Sequence, residues 1–294
     1  MDHNNLKEMI ERAKKEKERL EKMDYTEYVA ECGKGDCIDE LVKIRKNVIP
    51  LRFEAYSEND IPVGASKSGG YPDLPPTISY PTFCGYTETR TGDGQVTHYN
   101  ESAMQLVAQI NLLEVTEYDR DNKLPKSGML YFFWSGELPL SNNKYVSYLF
   151  EGNNTQVFKV IYYGGDLSLL KRTMPTMPYY AKYFDKAFDP CRILANDAKY
   201  MYDSNQLEDI FYDEGNKDIA GTLYEAYEKW AVEGDKLLGY FTGSMNVTGP
   251  ADNGMNLLQY NYSSGCLWGI YWFISEKDLD ERNFDEVYMN WDMD

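Results

Sequence analysis

Histidine is almost missing from this sequence: His3 and His98 are the two among 294 residues. A Ser-His-Asp or Cys-His relay, or a histidine-based metal centre, needs that side chain, so these chemistries have almost no material. Cysteine is scarce as well. Cys32, Cys37, Cys84, Cys191 and Cys266 are odd in number and scattered, the pattern of reduced thiols rather than of a disulfide framework. Cys32-x4-Cys37 has no second ligand pair for zinc. No run approaches the roughly 18 apolar residues that a membrane span requires, and no N-terminal stretch combines a basic start, an apolar run and a small-residue cleavage site. The expected location is therefore cytoplasmic, with no membrane partner.

Positive charge is also in deficit. Lysine and arginine total 30 against 48 aspartates and glutamates, a net charge of −18. Such a field repels phosphate backbones, which argues against nucleic acid, and it speeds encounter with a basic partner. Simple solubility is the plainer reading of the same number.

What the sequence does have is apolar and aromatic material: 43% hydrophobic residues and 26 tyrosines, enough for a substantial core at this length. Leu6, Met9, Ile10 and Ala13 form a narrow stripe that predicts a largely solvated helix over 5–23. Asp24 and Glu27 have the spacing of a capping box opening a second, short helix. From about Val42 the texture turns to β-branched and aromatic runs punctuated by Gly, Pro, Asn and Asp. Strands are expected at 48–54, 105–113, 128–134, 145–150, 156–163, 256–262 and 267–275. A short helix is expected near 206–212 and an amphipathic one over 217–233, while the proline- and tyrosine-rich stretch 174–216 otherwise shows no periodicity.

An internal repeat organises the strands. QLVAQINLLE at 105–114 precedes SGMLYFFWS at 127–135, and NLLQYNY at 256–262 precedes GCLWGIYWFIS at 265–275. Upstream of each lies a Lys/Gly segment, SKSGGYP at 66–72 and DKLLGYF at 235–241. Three ordered matches point to duplication. The expected fold is α+β: antiparallel or mixed sheets from two pseudo-symmetric halves, with a few flanking helices. The expected organisation is an N-terminal helical arm over 1–43 and a domain over 44–294, with a first half at 44–165, an irregular connector at 166–216 and a second half at 217–294.

The repeat also nominates residues for binding. Alternation along a strand turns Gln109 and Asn111 to one side, away from Leu106, Ala108, Ile110 and Leu112, and treats Gln259 and Asn261 alike. Amides donate and accept, so these four suit peptide groups or sugar hydroxyls, and equally suit the protein's own backbone. Lys67 and Lys236 open the corresponding Lys/Gly segments. GASKSGG at 64–70 departs from a phosphate loop, because Gly69 and Gly70 follow the lysine and Tyr71-Pro72 prevents an immediate helix. A turn in which Gly69 and Gly70 supply positive φ fits better. Tyr271, with Trp134, Trp268 and Trp272, lies in or beside the repeated strands, where aromatics serve a core or a binding surface. No carboxylate pair stands out for acid/base work, Asp119, Asp121 and Asn122 lack the glycine and glutamate of a calcium loop, and no cofactor or metal is expected.

IRKNVIPLRF at 44–53, GASKSGGYPDLPP at 64–76, LVAQINLLE at 106–114, LPKSGMLYFF at 124–133, DKLLGY at 235–240, NLLQYN at 256–261, WGIYWFIS at 268–275 and FDEVYMNWD at 284–292 together resemble the YwqG-like family, a domain of unknown function (DUF1963). The resemblance implies a cytosolic α+β protein, mainly bacterial, of a kind often encoded near toxins and immunity proteins. The arm before residue 44 lies outside the pattern. The combined expectation is a non-catalytic, immunity-type binding module that engages a basic, toxin-like protein. The alternative is a small polar ligand or sugar, or even a hydrolase, using a cleft between the halves. The oligomeric state is not legible.

Overall fold

The run Met129–Trp134 is buried at every position, which an exposed-face strand with alternating polarity would not show. It belongs to a sheet covered on both faces. The computed structural model describes residues 3–91, 94–137, 145–146, 155–180, 186–212, 217–243, 254–261 and 267–293. These group into two compact units, Met1–Lys46 with Lys199–Val232, and Asn47–Ala198 with Glu233–Asp294. Residues 199–232, assigned from sequence partly to the connector and partly to the second half, thus cluster with the N-terminal helices.

The first unit is mainly helical. His3–Lys22 is a long helix whose Arg19 pairs with Glu31 at 2.7 Å on the surface, an exposed contact worth little. Tyr25–Glu31 begins at the expected capping box, with Glu27 N–H donating to Asp24 and Asp24 N–H donating to the Glu27 carboxylate. Its Tyr25 and Val29 join Leu41, Tyr202, Leu207, Phe211 and Leu223 in one core, and the Tyr25 hydroxyl donates to Leu223 O at 2.7 Å. The helix expected over 217–233 ends at Tyr227, because tighter i to i+3 bonds close the next turn and Trp230 spends its indole N–H on Met23 O.

The second unit is built on ten strands: β1 Lys46–Ala55, β2 Lys67–Ser68, β3 Gln105–Asn111, β4 Met129–Trp134, β5 Phe158–Tyr163, β6 Cys191–Ala195, β7 Lys236–Leu238, β8 Gly254–Tyr260, β9 Leu267–Ser275 and β10 Tyr288–Met293. Their order is β5-β4-β3-β2-β6-β1-β7-β8-β9-β10, and every neighbouring pair is antiparallel. This is the expected α+β architecture with a large antiparallel sheet. One face carries Ala108, Ile110, Leu130, Phe132, Leu237, Leu258, Ile270 and Trp272 in a single core. The opposite face carries Leu106, Tyr131 and Phe133 under one cluster and Tyr271 and Phe273 under another. Each leucine, isoleucine or phenylalanine among them contributes about 1.5–3 kcal/mol when removed from water.

Several sequence expectations change here. The strand expected to reach 113 stops at Asn111, whose side chain accepts the Leu113 N–H and caps the short helix Leu112–Val115. Leu106 does not share a face with Ala108 and Ile110, since the register shifts between Leu106 and Ala108 and a bulge reverses the alternation. The stretch 174–216 supplies β6, next to β1 in the middle of the sheet. The hairpin Thr82–Thr91/Gly94–Ala103 was not among the expected strands. Of the strand expected at 145–150, Tyr145–Val146 pairs with Thr155–Gln156, and 147–150 lie outside the described residues.

Candidate functional site

β2 is two residues long, yet it pairs with β3 on one side and β6 on the other. What ends it is glycine. Gly69 and Gly70 hold φ of 66° and 62°, and a Cβ on Gly69 would fall 2.4 Å from Asp189 O, so only glycine fits. The turn carries the chain back over Lys67, which is fully buried. Its ammonium pairs with Glu58 at 2.6 Å and donates to Tyr71 O. Burial pulls the Lys67 pKa down from the ordinary lysine range, and the Glu58 bond opposes that pull.

Lys67 stands opposite Gln109 in the register. The Gln109 amide accepts the Asp73 N–H at 2.8 Å and donates to Ala65 O and the Asp73 carboxylate, each at 2.8 Å. Asn111 donates to Gly64 O at 2.7 Å. Arg172 closes the cluster, its Nε reaching Asp73 at 2.9 Å and Glu58 at 3.0 Å, and the Tyr131 hydroxyl donates to Asp73 O. The charges here are paired and hydrogen-bonded, as buried charges must be.

A second cluster surrounds Lys236. Leu238 and Gly239 follow it at φ of 60° and 76°, and Lys236 stands opposite Gln259. The ammonium donates to Thr242 Oγ1 at 2.5 Å. The Gln259 amide accepts the Thr242 N–H at 3.2 Å and donates to Thr242 O at 2.9 Å. Burial takes the Lys236 pKa down to about 7. Next to it, burial pushes Asp235 up to about 6 although its carboxylate accepts the Asn261 N–H. Tyr271 lies across from Gln259 and meets the Phe241 ring edge-on at 4.6 Å.

The nine residues singled out from sequence therefore fall into two groups: Lys67, Gly69, Gly70, Gln109 and Asn111 in one, Lys236, Gln259, Asn261 and Tyr271 in the other. Of these, Asn261 is exposed and Asn111 is half-buried. Glu58, Asp73, Arg172 and Thr242 were not foreseen. A signal existed for two of them, since Asp73 and Thr242 each lie six positions after the lysine whose glutamine they clamp.

Neither group opens onto a described cleft. Thr77–Ser79, Lys159–Tyr162 and Arg282–Asp285 line one of about 440 Å³. Glu208, Phe211, Tyr212, Lys217, Gly221 and Tyr224 line one of about 450 Å³ in the helical unit. A third, of about 300 Å³, contains Ser66, Tyr118 and the Glu114–Arg192 ion pair. Among the described residues no group of three His, Cys, Asp or Glu side chains could hold a metal ion, and no helix is long and apolar enough to cross a membrane.

A family model described as "Domain of unknown function (DUF1963)" matches residues 66–293. No curated protein matches the chain.

Proposed function

Because the chain belongs to the DUF1963 family, whose description assigns no chemistry, we propose a function from its own residues: a non-catalytic, immunity-type module that binds a basic, toxin-like protein in the cytoplasm. One observation carries the non-catalytic part. The lysines and glutamines marked out by the repeat are buried and turned onto the protein's own backbone and side chains, which is how structural amides behave. The net charge of −18 supplies the attraction for a cationic partner. A small polar ligand held by these amides has less support, since the Gln109 amide is taken up by Ala65 and Asp73 and the Gln259 amide by Thr242.

The same residues favour reading the sheet as two copies of one β-unit. In each, a strand opening on lysine carries the chain into two consecutive positive-φ residues, pairs with a glutamine strand at the lysine, and is followed by an aromatic strand with tyrosine opposite the glutamine. The bulges also correspond, between Leu106 and Ala108 and between Asn256 and Leu258.

The partner hypothesis is tested by capture on the immobilised chain at about 50 mM and about 500 mM salt, between which the screening length shrinks severalfold. A basic protein should bind in low salt and be released in high. Undiminished retention, or selective capture of acidic proteins, would remove charge as the basis of recognition.

A further inference from the structure

β5 is the first strand of the sheet order and pairs with β4, from Phe158↔Trp134 to Tyr163↔Met129 without a break in register. Ser135 N–H donates to Val157 O at 2.8 Å, and this fixes the alternation. Antiparallel residues alternately face their partner strand and turn away from it. Lys159, Ile161 and Tyr163 thus give their backbone groups to β4, while Val160 and Tyr162 turn theirs outward. Among the described residues nothing hydrogen-bonds those outward N–H and C=O groups.

This bare edge forms a wall of the 440 Å³ cleft, whose other walls are Thr77–Ser79 and Arg282–Asp285. The segment at 282–285 leads into β10, the opposite edge strand, so the cleft lies where the two ends of the sheet approach one another. The Phe284 ring sits 5.5 Å from that of Tyr162, and the Arg282 guanidinium stands 6.0 Å above the same ring. Lys159 shares its face with Ile161 and Tyr163, which pack on the second core cluster. The two cations therefore flank the edge from different sides. Neither forms an ion pair among the described residues, and Asp285 is the one carboxylate in the lining.

We infer that this seam accepts an extended, acidic segment of a partner protein as an added β-strand. An unpaired edge is a template for strand addition, in which main-chain bonds give affinity and flanking side chains give specificity. Lys159 and Arg282 select carboxylates on the incoming strand. The negative charge of the whole chain does not prevent this, because at physiological salt fields are screened over about 8 Å, and the cleft lining itself carries Lys159 and Arg282 against the single carboxylate of Asp285. A second copy of this chain fits less well, since pairing β5 with β5 would crowd the lysines and arginines of both copies into one seam. This inference is independent of the basic partner proposed above.

Three fluorescein-labelled eight-residue peptides test it by anisotropy against the full chain: one of Val and Thr with Glu or Asp on both strand faces, one with lysine replacing every acid, and the acidic peptide with alternate backbone nitrogens methylated. The acidic peptide should bind at least about tenfold more tightly than either control, a difference of about 1.4 kcal/mol. Val160→Pro removes one outward N–H while leaving the β4 ladder intact, and should abolish binding. Lys159→Glu with Arg282→Glu should transfer the preference to the lysine peptide. No binding, equal binding of the methylated or lysine peptide, or self-association of the chain that Val160→Pro abolishes would each overturn the inference. The methylated peptide decides the matter even if the proline variant does not fold. Neither salt-sensitive nor salt-insensitive capture of a basic protein bears on these outcomes.

Discussion

Asp235 and Lys236 are chain neighbours that burial drives toward neutrality from opposite directions, to about 6 and about 7. For Asp235 the folded value lies above the ordinary 3.8, so between them the folded state holds the extra proton. Stability is then greater below about pH 4 and falls as pH rises through 6. For Lys236 the folded value lies below 10.5, so the folded state sheds its proton first, and stability rises from pH 7 toward 10.5. Asp235→Asn keeps an acceptor for the Asn261 N–H and removes the desolvated charge. Urea unfolding at pH 7.5 should show it more stable than the parent by on the order of 2 kcal/mol, with little gain at pH 4. A gain equal at both pH values would mean that charge burial is not the cause. None of this was legible in the sequence, where Asp235-Lys236 reads as an ordinary charged pair. Burial on the two sides of a three-residue strand comes from β1 and β8, which are distant along the chain.

At the scale of elements, pattern carried far for the strands and less far for their partners. The apolar and aromatic runs at β1, β4 and β9 marked strands within a residue or two, since each is long enough to show its own composition. β2 and β6 lacked that advantage. β2 is a dipeptide inside a glycine-rich turn, and β6 is five residues without alternation after a proline, so each is a strand because of what flanks it. The turn chemistry of Gly69 and Gly70 was readable; the Glu58, Asp73 and Arg172 contacts that close over Lys67 were not. If β3 and β8 are copies, their glutamines should carry equal weight. Gln109→Ala and Gln259→Ala each remove the amide oxygen that accepts a backbone N–H, of the buried Asp73 or the half-buried Thr242. Each should cost on the order of 2–4 kcal/mol by chemical denaturation, the two agreeing within about 1 kcal/mol. A large loss at one site and none at the other would separate the two clamps.

For the molecule as a whole, the interruption of the sheet unit is informative. The chain leaves that unit after Ala198 and returns at Glu233. Both ends of the break are held by the same two residues of β1, for Asn196 N–H donates to Pro50 O at 2.9 Å and Leu51 N–H donates to Asp235 O at 2.8 Å. Linear reading could not see this, because 199–232 lies between strands in sequence yet groups with residues 1–46. A flexible linker of about six residues spans about 13 Å, enough to rejoin ends anchored to adjacent positions. A chain lacking residues 1–45, with 199–232 replaced by such a Gly/Ser linker, should therefore keep the ten-strand sheet. Its thermal unfolding should be a single cooperative transition, with the near-ultraviolet circular dichroism of packed tyrosines and tryptophans retained. A broad transition with strong dye binding would show instead that the sheet needs the helical unit to fold, as a molten state would. Cooperative melting would place the two lysine clamps, the bare β5 edge and its cleft in one self-sufficient body, so that peptide binding at the seam could be measured apart from the helices.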